Sequence, residues 1–162
     1  MAERIFMSQN QESIRDKSGS CAVICLLTDK KCYVANVGDS RAIMSEDRGK
    51  NLIVLSNDHK PCEDDEQKRI LKGGGQVYQS KNINIFDSKG NKLIPPVRVL
   101  PGRLSVSRSF GDCMAKIERY GGNPNCIVAT PEIRVFELKP EVDFVLLGSD
   151  GIFDKLENKL VQ

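Results

Sequence analysis

A single histidine, His59, serves all 162 residues, so serine-histidine-aspartate triads and multi-histidine metal sites lack their parts. None of the six cysteines (Cys21, Cys25, Cys32, Cys62, Cys113 and Cys126) forms a C-x-x-C pair, which leaves a zinc ribbon or a thioredoxin-like site without support. No apolar run approaches the roughly 18 residues that span a bilayer, and Met1-Ala2-Glu3-Arg4 leads into no signal-type segment. The net charge of +2 is too small to argue for nucleic acid or an anionic membrane as a partner. The glycine triplet Gly73-Gly74-Gly75 is followed by no Gly-Lys-Ser/Thr and comes after a helical pattern. It therefore reads as a helix terminator and not as a phosphate loop.

What remains describes a globular protein, 40% apolar and 28% charged. A chain of this length buries about two-thirds of its unfolded surface, enough for an ordinary core. Residues 2–16 predict a helix with Ile5, Phe6 and Ile14 as sparse apolar contacts, broken by Lys17-Ser18-Gly19-Ser20. Cys21–Leu27 and Cys32–Val37 are β-favouring runs joined by a four-residue turn, a hairpin pattern, and the thiols in them behave as small hydrophobes. Arg41–Ser45 and Leu52–Leu55 continue as short strands, and four strands at this spacing predict an antiparallel sheet.

Glu63–Glu66 place acids in the first turn of a helix that ends near Lys68, Arg69 and Lys72, matching the helix dipole. A polar excursion over residues 79–103 carries a small hairpin at Asp87–Asn91. Asp112–Tyr120 reads as a short helix ended by Gly121-Gly122. Strands near Ile133–Leu138 and Val142–Leu147 follow, with Phe144–Leu147 read as fully buried because the run is unbroken and apolar. Strands followed by segregated helices indicate α+β.

Two aspartates share one local grammar. Asp39 follows the strand Cys32–Val37 in Gly38-Asp39-Ser40-Arg41, and Asp150 follows Phe144–Leu147 in Ser149-Asp150-Gly151. A carboxylate at the mouth of an apolar strand must be hydrogen-bonded, paired or bound to a cation, because desolvating it costs several kcal/mol. If the two strand ends converge, the pair supplies the oxygen donors that magnesium or manganese prefers. Alternatively each caps its own turn or pairs with an arginine, Asp39 with Arg41.

Several segments, in this order, resemble the type 2C protein phosphatases, the magnesium- or manganese-dependent Ser/Thr phosphatases. They are Ser18-Gly19-Ser20-Cys21-Ala22, Val34 to Arg41, Asp58-His59-Lys60-Pro61, Glu66 to Val77, Arg103 to Asp112, Thr130-Pro131-Glu132 and Leu147 to Asp154. The resemblance implies a sandwich of two antiparallel β-sheets flanked by helices, incomplete here. It implies hydrolysis of phosphoserine and phosphothreonine in phosphoprotein substrates by metal-activated water, in a parent protein located in the cytoplasm or the nucleus. Asp150 matches a ligand of the magnesium or manganese pair, and Asp39 a ligand of an additional, weaker metal.

Residues 1–162 then correspond to part of the catalytic domain, with 1–17 a helix leading in and 57–101 a helix plus a flap-like insertion. The family's Asp-Gly-His-Gly-Gly motif, with its general-acid histidine, is not in the chain. Nor is the phosphate-binding arginine of the family's first strand, so no catalytic residue is assigned. His59 matches a structural turn, and Arg108 and Asp112 read as turn organisers. On this reading the chain alone is inactive and self-associates through uncovered sheet surface. A catalytically dead phosphatase-like module that binds proteins is the competing function.

Overall fold

The computed structural model describes residues 1–12, 16–80, 85–86, 90 and 92–161. In chain order the elements begin with α1 (Ala2–Gln9), β1 (Gly19–Ser20), β2 (Ala22–Leu27), β3 (Lys31–Val37), β4 (Arg41–Glu46) and β5 (Asn51–Val54). Next come α2 (Asp64–Lys72), β6 (Gln76–Gln79), β7 (Ile85–Phe86), β8 (Lys92–Leu93), β9 (Val97–Leu100) and β10 (Phe110–Gly111). The chain continues with α3 (Cys113–Lys116), a 3-10 turn (Glu118–Tyr120), β11 (Glu132–Glu137), β12 (Val142–Gly148), α4 (Asp150–Phe153) and α5 (Asn158–Val161). Two compact units are present. One comprises Met1–Ser18, Lys60–Ser107 and Gly111–Val128, the other Gly19–His59, Arg108–Phe110 and Ala129–Gln162.

The second unit is a sandwich of two three-stranded antiparallel sheets, ordered β11-β3-β2 and β12-β4-β5. The expected β2–β3 hairpin forms, with Ala22 opposite Val37 and Leu27 opposite Cys32. The four early strands do not make one sheet, however. The chain turns at Gly38, whose φ is +106°, and β4 enters the second sheet. Between the sheets lies a core of Cys32, Val34, Ala42, Met44 and Leu55, with Val23, Cys25, Ile53, Phe136 and Val145 packed against it.

The outer face of the first sheet is apolar and open. Its register aligns Ile133 with Ala35 and Ile24, and Val135 with Tyr33 and Leu26, and every one of these except half-buried Ala35 is exposed. Strand β12 also departs from expectation, because it is an edge strand. Val145 packs into the core while Phe144 and Leu147 remain 38% and 41% exposed, so the strand is not fully buried.

In the first unit, α2 carries Asp64, Asp65 and Glu66 in its first turn and Arg69 and Lys72 in its last, as the dipole favours. It ends as expected: Gly73 is the cap, and Gly74 adopts the left-handed conformation at φ +86°. Ile70, Val99, Ala115, Cys126 and Ile127 form the core, with Val77 and Leu104 beside it. Buried Glu66 accepts hydrogen bonds from Arg69 Nη2 (2.8 Å) and Ser107 Oγ (2.5 Å). Arg69 also donates to the carbonyls of Ser107, Asn125 and Cys126 at 2.8–3.1 Å. Strands β6 and β9 pair antiparallel, as do β7 and β8. The turn of the expected hairpin at Asp87–Asn91 lies largely outside the described residues.

Two helix expectations are shortened. Helix α1 stops at Gln9, not at residue 16, because Asn10 Nδ2 takes the Phe6 carbonyl (2.9 Å) and its Oδ1 accepts the Asp16 N–H (2.8 Å). An asparagine side chain competes with the helical backbone in this way. Ile14 lies outside the described residues. The segment Asp112–Tyr120 is not one helix: Ile117 is extended, and the chain after it folds back so that the Asn123 N–H takes the Ala115 carbonyl at 2.7 Å. A Cβ at Gly122 would lie 2.7 Å from the Lys116 and Ile117 nitrogens, so only glycine permits this return.

Candidate metal centre

Register alone brings the two aspartates to the same end of one sheet. The last rung between β4 and β12 pairs Arg41 with Gly148. Asp39 lies two residues before that rung on one strand, and Asp150 two residues beyond it on the other. Both therefore emerge from the same end of the same sheet.

Neighbouring turns hold this end in shape. Arg41 grips Asp58 with two hydrogen bonds, Nε to Oδ1 at 3.0 Å and Nη2 to Oδ2 at 2.7 Å. It also donates to Asn158 Oδ1 (2.7 Å) and lies over the Phe153 ring, 5.0 Å from its centroid. Its hydrogen bonds to Asp58 hold the guanidinium more firmly protonated. Arg41 is thus committed to Asp58, and a pairing between Asp39 and Arg41 is set aside.

His59 is buried and clasps the Gly38 turn. Its Nδ1 accepts the Gly38 N–H at 3.1 Å, and its own N–H donates to the Gly38 carbonyl at 3.0 Å. These two contacts tie the turn at residues 58–61 to the Gly38 turn. Arg108 Nη1 donates to the Thr130 carbonyl (3.1 Å), and Asp112 is the left-handed residue preceding α3 (φ 52°).

Asp39 is buried and Asp150 exposed. Asp150 opens the single turn α4 directly after β12, with Ser149 as the capping position and the Asp154 N–H returning to its carbonyl at 2.8 Å. Gly151 has ordinary room around it. The crowded glycine is Gly148, where a Cβ would stand 2.7 Å from the Phe153 ring.

One neighbour of Asp39 was not legible as such. Cys21 was read as a small hydrophobe of a strand, yet it precedes β2, is half-buried, and donates its thiol hydrogen to Asp39 Oδ1 at 3.5 Å. Burial first, with the Asp39 and Asp150 charges adding to it, pushes this thiol up to about 11. The signal was available in the hairpin register, which sets Cys21 beside Gly38, one step past the Ala22–Val37 rung.

The family model for protein phosphatase 2C matches residues 1–162. This chain belongs to the protein phosphatase 2C family. It is 34% identical to a probable protein phosphatase 2C of Arabidopsis thaliana, over 97% of this chain and 36% of that protein. It is 36% identical to protein phosphatase 1L of Bos taurus, over 89% of this chain and 34% of that protein. Among solved structures, a sex-determining protein of Caenorhabditis elegans superposes with a TM-score of 0.74 at 25% identity, covering 98% of this chain and 33% of that one. A serine-threonine phosphatase 2C of Toxoplasma gondii, at 24% identity and a TM-score of 0.70, shares the fold over 96% of this chain and 48% of its own. The chain thus spans about a third of the first two relatives' length.

Protein phosphatase 2C is a metal-dependent family, and the donors here suit a hard cation in kind but not in number. Asp39 and Asp150 offer carboxylate oxygens, while among the described residues no group of three His, Cys, Asp or Glu side chains is placed to hold a metal ion. No helix among them is long and apolar enough to cross a membrane.

Proposed function

We propose that the whole protein containing this chain is a phosphoprotein phosphatase, hydrolysing phosphoserine and phosphothreonine, with Asp39 and Asp150 among its ligands for magnesium or manganese. The observation that carries this reading is the pair of aspartates flanking the Arg41–Gly148 rung in a chain matched along its full length by the protein phosphatase 2C family. When bound, such cations supply Lewis acidity toward phosphate and a water that is nucleophilic at neutral pH. The residues of this chain do the rest of what can be assigned to them. Asp150, exposed at the strand end, offers oxygen toward solvent. Asp39 follows the Gly38 turn that His59 clasps, and Arg41, whose backbone pairs with Gly148, is anchored by Asp58.

The chain by itself has two such ligands and no assigned general acid, so we infer that it is inactive alone. Release of phosphate from a phosphothreonine peptide tests both statements. The whole protein should release it with manganese and stop on chelation, and residues 1–162 should release none. A whole protein that binds the peptide without turnover would support the catalytically dead binding module instead.

Three further readings accompany this one. The segment 57–101, read as a helix plus a flap-like insertion, biases substrate choice. The exposed apolar rows through Ile24, Leu26, Ile133 and Val135 support self-association of the isolated chain, which sedimentation at increasing concentration would register. Free thiols at all six cysteines support a reducing compartment, the cytoplasm or the nucleus.

A further inference from the structure

We infer that Cys21 is a positioning residue for the metal-binding carboxylate of Asp39. The inference rests on the metal role proposed for Asp39 and deepens it.

Two observations converge on this thiol. Its Sγ stands 3.5 Å from Asp39 Oδ1, within reach of an S–H donor. The sulfur is also held from behind, since a Cβ at Gly38 would overlap Sγ and come within 2.5 Å of the Cys21 Cβ. Gly38 is in turn held by two hydrogen bonds with His59, which restrains the backbone next to Asp39 against the thiol.

A carboxylate ligand turns about its side-chain bonds unless something holds one oxygen. Groups that hold a ligand from behind set its orientation and typically account for 10–100-fold in metal affinity. A thiol is a weak donor, so the effect belongs at the lower end of that range. The contribution is one hydrogen bond donated by a neutral side chain. Serine retains such a donor and alanine does not.

The experiment is a manganese titration of the whole protein followed by electron paramagnetic resonance, which counts free ion and needs no turnover. Wild type, Cys21→Ala, Cys21→Ser, Asp39→Asn and Asp150→Asn are compared, each with its metal-free melting temperature. Cys21→Ala is expected to weaken the site that Asp39→Asn removes by about tenfold, with Cys21→Ser restoring it to within about twofold. A merely structural role would lower the metal-free melting temperature and leave the manganese affinity alone, and that result overturns the inference. So does equal weakening in Cys21→Ala and Cys21→Ser. Wild-type affinity in Cys21→Ala alongside loss in Asp39→Asn overturns the role of Cys21 while leaving the metal site standing. Unchanged affinity in both aspartate variants overturns the two together.

Discussion

Replacing Gly38 with alanine tests the turn on which the candidate site depends. Two costs add at this position. The backbone at φ +106° penalises an L side chain by about 1–2 kcal/mol. The new methyl group would overlap Cys21 Sγ and come within 2.5 Å of its Cβ, and overpacking of this kind costs about 1–3 kcal/mol. A total near 3 kcal/mol corresponds to a fall of about 6–12 °C in Tm for a domain of this size. Gly121 provides the control. Its φ is +80° and nothing lies within 4 Å of where its Cβ would stand, so Gly121→Ala should incur the backbone cost alone, about 1–2 kcal/mol. Urea unfolding of both variants, read as the shift in midpoint at constant slope, separates the two costs. Equal destabilisation by Gly38→Ala and Gly121→Ala would refute the claim that Cys21 is wedged against the turn.

Asp58→Asn should destabilise the chain by about 2 kcal/mol in the same assay, because it weakens both arms of the Arg41 fork where the side chains are only 21% and 10% exposed. Glu3→Ala should cost about 2–3 kcal/mol by leaving Lys116, 5% exposed and 2.7 Å from Glu3 Oε1, buried without that carboxylate. The Gly49 N–H, with Ser45 and the Arg48 N–H, lowers Asp143 below its ordinary 3.8. Its stabilisation is therefore present above pH 3.8 and fades as pH falls through the lowered folded value. Asp143→Asn should flatten the acid limb of a Tm-against-pH profile below that point and leave the neutral region unaltered in shape. In a timed alkylation mapped by mass spectrometry, exposed Cys62 should react first. Buried Cys32, which burial and Cys25 push up to about 12, should react only on unfolding.

The local elements were legible where the signal was local. The β2–β3 hairpin, the acidic start of α2 and its glycine stop follow from residue type and order, since hairpin turns and helix dipoles act over a few residues. The resemblance implied a two-sheet sandwich, but strand spacing alone did not show how the early strands divide between the sheets, because that is decided at Gly38 by a backbone angle and a side-chain neighbour 17 positions away, Cys21. The length of α1 departs from expectation for a similar reason: Asn10 bonds Phe6 and Asp16 in place of continuing the helix. At the candidate site the two aspartates were chosen from their strand-end setting, and the structure places both at one sheet end through the Arg41–Gly148 rung. Cys21 escaped notice because an apolar run masks a polar duty, and only the register reveals its neighbour. The burial of β12 was overestimated, since an apolar run reports what a strand can bury and not whether a layer covers it.

The most direct test of a metal-dependent phosphatase built on Asp39 and Asp150 is manganese-dependent hydrolysis of a phosphothreonine peptide by the whole protein, wild type against Asp150→Asn. Hydrolysis in wild type that falls at least about 100-fold in the variant, with melting temperature preserved, is the expected result. Equal hydrolysis by the two proteins, or hydrolysis indifferent to chelation, would contradict it.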